Sequence, residues 1–188
     1  MKMPELRNRI NKDELKVRLA QEKIERVTFS FYRYVKIEDP KELRDQLFIH
    51  WTNLNCFGRI YVAHEGINAQ MSVPKSNWDN FVAQLYKDER FNNVPFKIAV
   101  DGNGKSFYKL IIKVKEKVVA DGINDPNFDA ANTGTYLNAE GFNKAIEDPN
   151  TIVVDMRNHY ESEVGRFDKA FCPDADTFRE ELPLVVDH

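Results

Sequence analysis

Arg59-Ile60-Tyr61-Val62-Ala63-His64-Glu65-Gly66-Ile67-Asn68-Ala69-Gln70-Met71-Ser72-Val73 reads as two strands, 59–63 and 67–73, joined by the short connection His64-Glu65-Gly66. Glycine stands where such a hairpin needs positive φ. Upstream, Val27, Phe29 and Phe31 alternate with Thr28 and Ser30, a period of two that predicts another strand. Between them, Asp39-Pro40-Lys41-Glu42 has the N-cap, the proline at N1 and the acid at N3 of a helix start. Leu43, Leu47, Trp51 and Leu54 then place a buried stripe on a helix over 40–55.

Downstream of Pro74, Ser76 is positioned to cap a helix over 76–88 with Trp78, Phe81, Val82 and Leu85 on one face. Phe96–Val100 reads as a strand, Asp101-Gly102-Asn103-Gly104 as a turn, and Phe107–Val114 as a further strand whose alternation carries on to Val118. The order over 27–118 is β-α-β-β-α-β plus one strand. It predicts an α+β, ferredoxin-like domain: an antiparallel sheet with two helices on one face.

Flanking segments read differently. Asn11 with Glu14 has the spacing of a capping box, and Leu15 and Leu19 follow at helical spacing. Residues 1–26 are therefore an N-terminal helical segment, with the helix over 12–25. Residues 119–136, with Asp121-Gly122, Asp125-Pro126 and Gly134, read as a linker across the surface. From 137 to 188, Asn138 caps a helix, and Thr151-Ile152-Val153-Val154-Asp155 reads as a strand buried on both faces, as in a parallel sheet.

The 188-residue chain is 42% hydrophobic with net charge −3, which argues against a protein that coats nucleic acid nonspecifically. Its charged N-terminus lacks a secretory h-region, and no apolar run reaches the roughly 20 residues that span a bilayer. Cytoplasmic placement and no membrane partner are the expectation. Cys56, Cys172 and four scattered histidines have no metal-ligand spacing, so no metal site is expected. Both cysteines read as half-buried core residues.

Lys109, Lys113, Lys115 and Lys117 share one side of the last strand pattern, opposite Leu110, Ile112 and Val114. Arg33, Lys36, Arg59 and Lys105 join them if their strands pair nearby. Such a row fits a phosphate backbone, with Tyr34 or Tyr61 to stack on splayed bases, or else a solvated sheet face. His64 beside Glu65 can do acid–base work or build the turn.

The segment Asp155-Met156-Arg157, followed by Glu161 and Gly165-Arg166-Phe167, is similar to the rhodanese signature, with Arg166 where that family has histidine. Further motifs occur in order: Phe31-Tyr32-Arg33-Tyr34, Ala63–Gln70, Gly104–Phe107, Val119–Ile123 and Asp176–Glu180. Together they resemble the rhodanese-domain tRNA uridine hydroxylases (TrhO family) from about residue 7 onward. The resemblance implies 5-hydroxylation of the wobble uridine, with tRNA as partner and neither DNA nor a membrane. It also implies that 137–188 is the N-terminal part of an α/β rhodanese-like domain.

No cofactor is recognisable, and molecular oxygen is the implied co-substrate. No catalytic residue is assigned, because the family's nucleophilic cysteine is expected downstream of His188; the 188 residues alone are expected to be inactive. Asp155 and Arg157 are expected to support the site, with Arg157 pairing Glu161 or Glu163. Lys109, Lys113, Lys115, Lys117, Arg59 and Lys105 are the expected RNA contacts. A rhodanese-type sulfurtransferase and a non-catalytic RNA- or protein-binding module are the alternative readings.

Overall fold

In the computed structural model, which describes residues 6, 10–100, 106–119, 121–123, 125, 132 and 134–186, local sequence signals place the first elements. Asn11 caps α1 (Lys12–Gln21) by accepting from the Asp13 N–H at 2.8 Å. The capping box is only half made, because Glu14 turns to Arg18 at 2.6 Å. The helix ends at Gln21, short of the expected Glu25, and buries Leu15 and Leu19. Asp39 accepts from the N–H groups of Lys41 and Glu42 at 3.0 and 2.9 Å and starts α2 (Pro40–Asn53), a cap worth about 1 kcal/mol.

The chain divides into two units between Val118 and Val119. The first holds a five-stranded sheet made by β1 (Arg26–Tyr34), β2 (Phe57–Ala63), β3 (Gly66–Pro74), β4 (Lys97–Ile98) and β5 (Leu110–Val114), in the order β4-β1-β3-β2-β5. The first four strands form antiparallel pairs, as the ferredoxin-like pattern requires. β5 departs from the expected antiparallel sheet by pairing parallel to β2, Ile60 opposite Ile112. β5 forms the edge of the sheet opposite β4 and runs in the same direction as β2.

Alternation sorts the side chains. Phe29, Phe31, Ile60, Val62, Ala69, Met71, Leu110 and Ile112 are buried on one side of the sheet. Leu43, Leu47 and Trp51 of α2, and Phe81 and Leu85 of α3 (Trp78–Tyr86), complete the core there. Trp51 and Phe81 meet at 5.6 Å between ring centroids. α3 begins later than expected: Lys75–Asn77 form a 3-10 turn, and no side chain caps the helix, Ser76 included.

Two expected strands are shorter in the structure. Phe96–Val100 yields only Lys97–Ile98, because Phe96 leaves the ladder to pack on Phe29 and Phe31 at 5.6 Å each. Phe107–Val118 yields only Leu110–Val114, and Val114 is 45% exposed, so the inward face ends at Ile112. The turn at 101–104 lies outside the described residues.

The second unit contains α4 (Ala139–Ile146), capped by Asn138 on the Gly141 N–H at 2.8 Å, then α5 (His159–Val164) and α6 (Phe178–Val186). Its expected doubly buried strand is instead a single parallel bridge, Val154 to Phe171. Ile152 is 71% exposed. Among the described residues, the 151–155 run has a neighbour on one side only, so its β-branched residues lack a second layer. Asp121, expected on a surface linker, is buried and accepts from the Ile123 N–H at 3.0 Å. No helix among the described residues is long and apolar enough to cross a membrane.

Candidate nucleic-acid interface

The side of the sheet away from α2 and α3 carries the polar half of each strand's alternation. Register aligns these residues in rows across the strands. One row runs Ser30, Gln70, Arg59, Ile111, with Lys97 beside Ser30. The next runs Tyr32, Asn68, Tyr61, Lys113. At one end the surface closes: Arg26 is buried, held by Glu22 at 2.7 Å and by the Asn55 carbonyl at 3.0 Å, with its guanidinium 3.9 Å from the Phe57 ring centroid. The two rows beyond it are open, with Gln70, Arg59, Lys97 and Lys113 exposed.

The six expected RNA contacts separate. Arg59 and Lys113 lie on this surface, two strand positions apart on adjacent strands. Lys109 immediately precedes β5 with its ammonium 5.7 Å from the Tyr108 ring, and Lys115 immediately follows it, 5.8 Å from the Tyr61 ring. Among the described residues none of Arg59, Lys109, Lys113 or Lys115 pairs with a carboxylate. Lys117 is half-buried and lies past the strand end, and Lys105 is outside the described residues.

Two other cations do not join them. Arg33 faces the opposite side of the sheet and donates to the Asn92 carbonyl at 3.1 Å. Lys36 pairs with Glu38 at 2.9 Å. A groove of about 800 Å³ runs along the free edge of β5, with Lys41, Lys109, Lys113 and Lys115 around it and Phe48 in its wall.

Register also brings in residues that reading each strand separately did not assemble. Tyr32, 48% exposed, has the Lys97 ammonium 5.9 Å from its ring and the Tyr34 ring at 6.3 Å. Asn68 and Gln70 lie between the β1 and β2 residues of the two rows. The signal was present in the alternation: burying Phe29 and Phe31 sends Ser30 and Tyr32 to the other side.

His64 and Glu65 are committed to the fold. His64 Nδ1 lies 2.9 Å from the Ile37 carbonyl, and the His64 carbonyl accepts from the Ile37 N–H at 2.8 Å. Glu65 accepts from the Val118 N–H at 2.7 Å. Burial pushes the Cys56 thiol up to about 12, so it is inert at neutral pH, while Cys172 is half-buried.

In the second unit Arg157 grips Asp155 with Nε at 2.9 Å and Nη2 at 2.6 Å, and donates to the Gly165 carbonyl at 2.6 Å. Its partner is thus Asp155, two residues away, and not Glu161 or Glu163; Glu163 lies 3.4 Å from His159. The Arg157 hydrogen bond holds the Asp155 carboxyl below its usual range. The pair fixes the turn that follows the bridge.

Nearby, Glu181 is fully buried and neither carboxylate oxygen has a hydrogen-bond partner. Burial pushes its pKa up, and the charges of Asp155 and Glu161 push the same way. The folded state therefore holds this proton more tightly than the unfolded chain, so the contribution of Glu181 to stability is most favourable at low pH and falls as pH rises above the ordinary glutamate value. Glu181→Leu is expected to raise the melting temperature of this unit at about pH 8 and to reduce the fall between about pH 5 and pH 8. A variant that melts lower at about pH 8 refutes the buried-charge account.

Comparison with known proteins adds three findings. Residues 26–118 match the UPF0176 acylphosphatase like domain family. The tRNA uridine(34) hydroxylases of Escherichia fergusonii and Escherichia coli strain K12 are each 53% identical over 186 residues, 98% of this chain. The chain spans about half the length of these curated relatives, 53% of each. Among solved structures, the BLUF protein BlrB in its dark state is similar at 16% identity and TM-score 0.32, over 48% of this chain and 74% of that one.

Proposed function

We propose, from its similarity to the tRNA uridine(34) hydroxylases, that the chain belongs to their family and supplies the tRNA-holding part of a cytoplasmic enzyme that hydroxylates the wobble uridine at carbon 5. Molecular oxygen is the co-substrate in this reading. The first unit binds the nucleic acid, and Asp155 with Arg157 shapes the entry to the chemical site. One observation supports the binding role above the others: Arg59, Lys109, Lys113 and Lys115 stand together on and beside an open sheet surface, without carboxylate partners among the described residues. In a chain of net charge −3, this local concentration of cations favours a polyanion.

Lys105 and Lys117 extend the row in the same proposal. Lys→Ala replacements at 109, 113, 115 and 117, and Arg59→Ala, are each expected to weaken tRNA binding about equally for all tRNAs that bind. Each is also expected to lower the slope of log K against log salt by about 0.7–0.9. The measurement is tRNA affinity across a salt series, with thermal melting to check folding. Unchanged affinity and slope in every variant would leave the cations as a solvated surface.

A further inference from the structure

The phosphate-binding residues do not explain why two tyrosines and two amides occupy the middle of the same surface. Tyr32 is 48% exposed, although an aromatic ring left this open gives up much of the burial that justifies its size. Tyr32 and Tyr61 lie in one row with Asn68 between them. Strands about 4.8 Å apart place these tyrosine positions roughly 10 Å from one another. Each ring also has a lysine ammonium beside it, Lys97 at 5.9 Å and Lys115 at 5.8 Å. These distances are at the long end of the cation–π range.

From this arrangement we propose that the open sheet surface binds unpaired nucleotides, stacking their bases on Tyr32 and Tyr61 while Lys97, Lys113 and Lys115 meet their phosphates. The proposal rests on the tRNA-binding reading above and narrows it to a single-stranded part of the substrate. A broad sheet surface cannot enter the deep major groove of duplex RNA, whereas splayed bases can lie flat against it. Asn68 and Gln70 each present an amide with two donors and an acceptor, suited to the edges of bases held there. Stacking itself tolerates any base, because every base has a π face.

The test uses short single-stranded oligouridylate and a duplex RNA of equal length, with affinities measured across salt concentrations. Tyr32→Ala and Tyr61→Ala are expected to lose about 5- to 100-fold in affinity for the single strand, with an unchanged salt slope and little change for the duplex. Tyr32→Phe and Tyr61→Phe keep the ring and are expected to retain most of the affinity. An abasic strand, which keeps every phosphate, should bind the wild type weakly and no longer distinguish it from the alanine variants.

If Lys113→Ala weakens tRNA binding while both tyrosine variants bind the single strand like wild type, stacking is overturned and phosphate binding stands. Equal losses on base-bearing and abasic strands also overturn stacking. If neither tRNA nor either probe binds the wild type, both readings fall together.

Discussion

Replacing Trp51 by alanine is expected to destabilise the first unit by about 3–5 kcal/mol, the usual cost of emptying a buried indole site. Trp51 is 1% exposed and packs against Phe81, which is 0% exposed and itself contacts Phe29, Trp78 and Phe96 with centroids at 5.0, 6.1 and 6.2 Å. The cavity would open where α2, α3 and the sheet converge, and a core stiffened from three sides collapses little. Because domains are stable by only about 5–15 kcal/mol, the melting temperature of this unit should fall by about 15 °C or more. Trp78, the other tryptophan in the sequence, remains as a fluorescence reporter. A fall of only a few degrees would mean that α2 does not seal this core.

Gly66→Ala is expected to cost at least about 2 kcal/mol, although it adds a single methyl group. Gly66 has φ of 149°, a conformation L-residues rarely adopt. A Cβ there would collide with the Arg33 carbonyl oxygen on β1. Moving β1 away would disturb the ladder ending at Tyr34–Gly66 and the hydrogen bond from the Val35 N–H to the Glu65 carbonyl at 2.9 Å. Thermal melting, with amide exchange of Val35 and Ile37, reads the effect. Wild-type melting and protection would show that the hairpin shifts freely and that the close approach is unimportant.

Repetition made the first unit legible. Alternation in 27–31, helical spacing from Leu43 to Trp51 and the glycine of the hairpin each repeat or restrict a local geometry, so the ferredoxin-like order followed from neighbouring residues alone. Ends of elements were less legible. Phe96 satisfies a strand pattern, yet it packs with Phe29, Phe31, Trp78, Phe81 and Tyr86, and that cluster outweighs ladder hydrogen bonds. Val114 fits the alternation of β5, but at the sheet edge it is left 45% exposed.

For the candidate interface, the sequence by itself determined which residue types were present: a run of lysines, exposed-type tyrosines and an Asp-x-Arg turn, together with the family resemblance. Only the tertiary structure decided which of them share a surface. Arg33 and Arg59 are equally cationic in the sequence, but strand parity sends them to opposite sides of the sheet. Likewise, the parallel entry of β5 beside β2 sets Lys113 against Tyr61, a pairing between residues about fifty positions apart. Side-chain direction within a strand is local, fixed by a period of two, whereas which strands are neighbours depends on the packing of the whole domain.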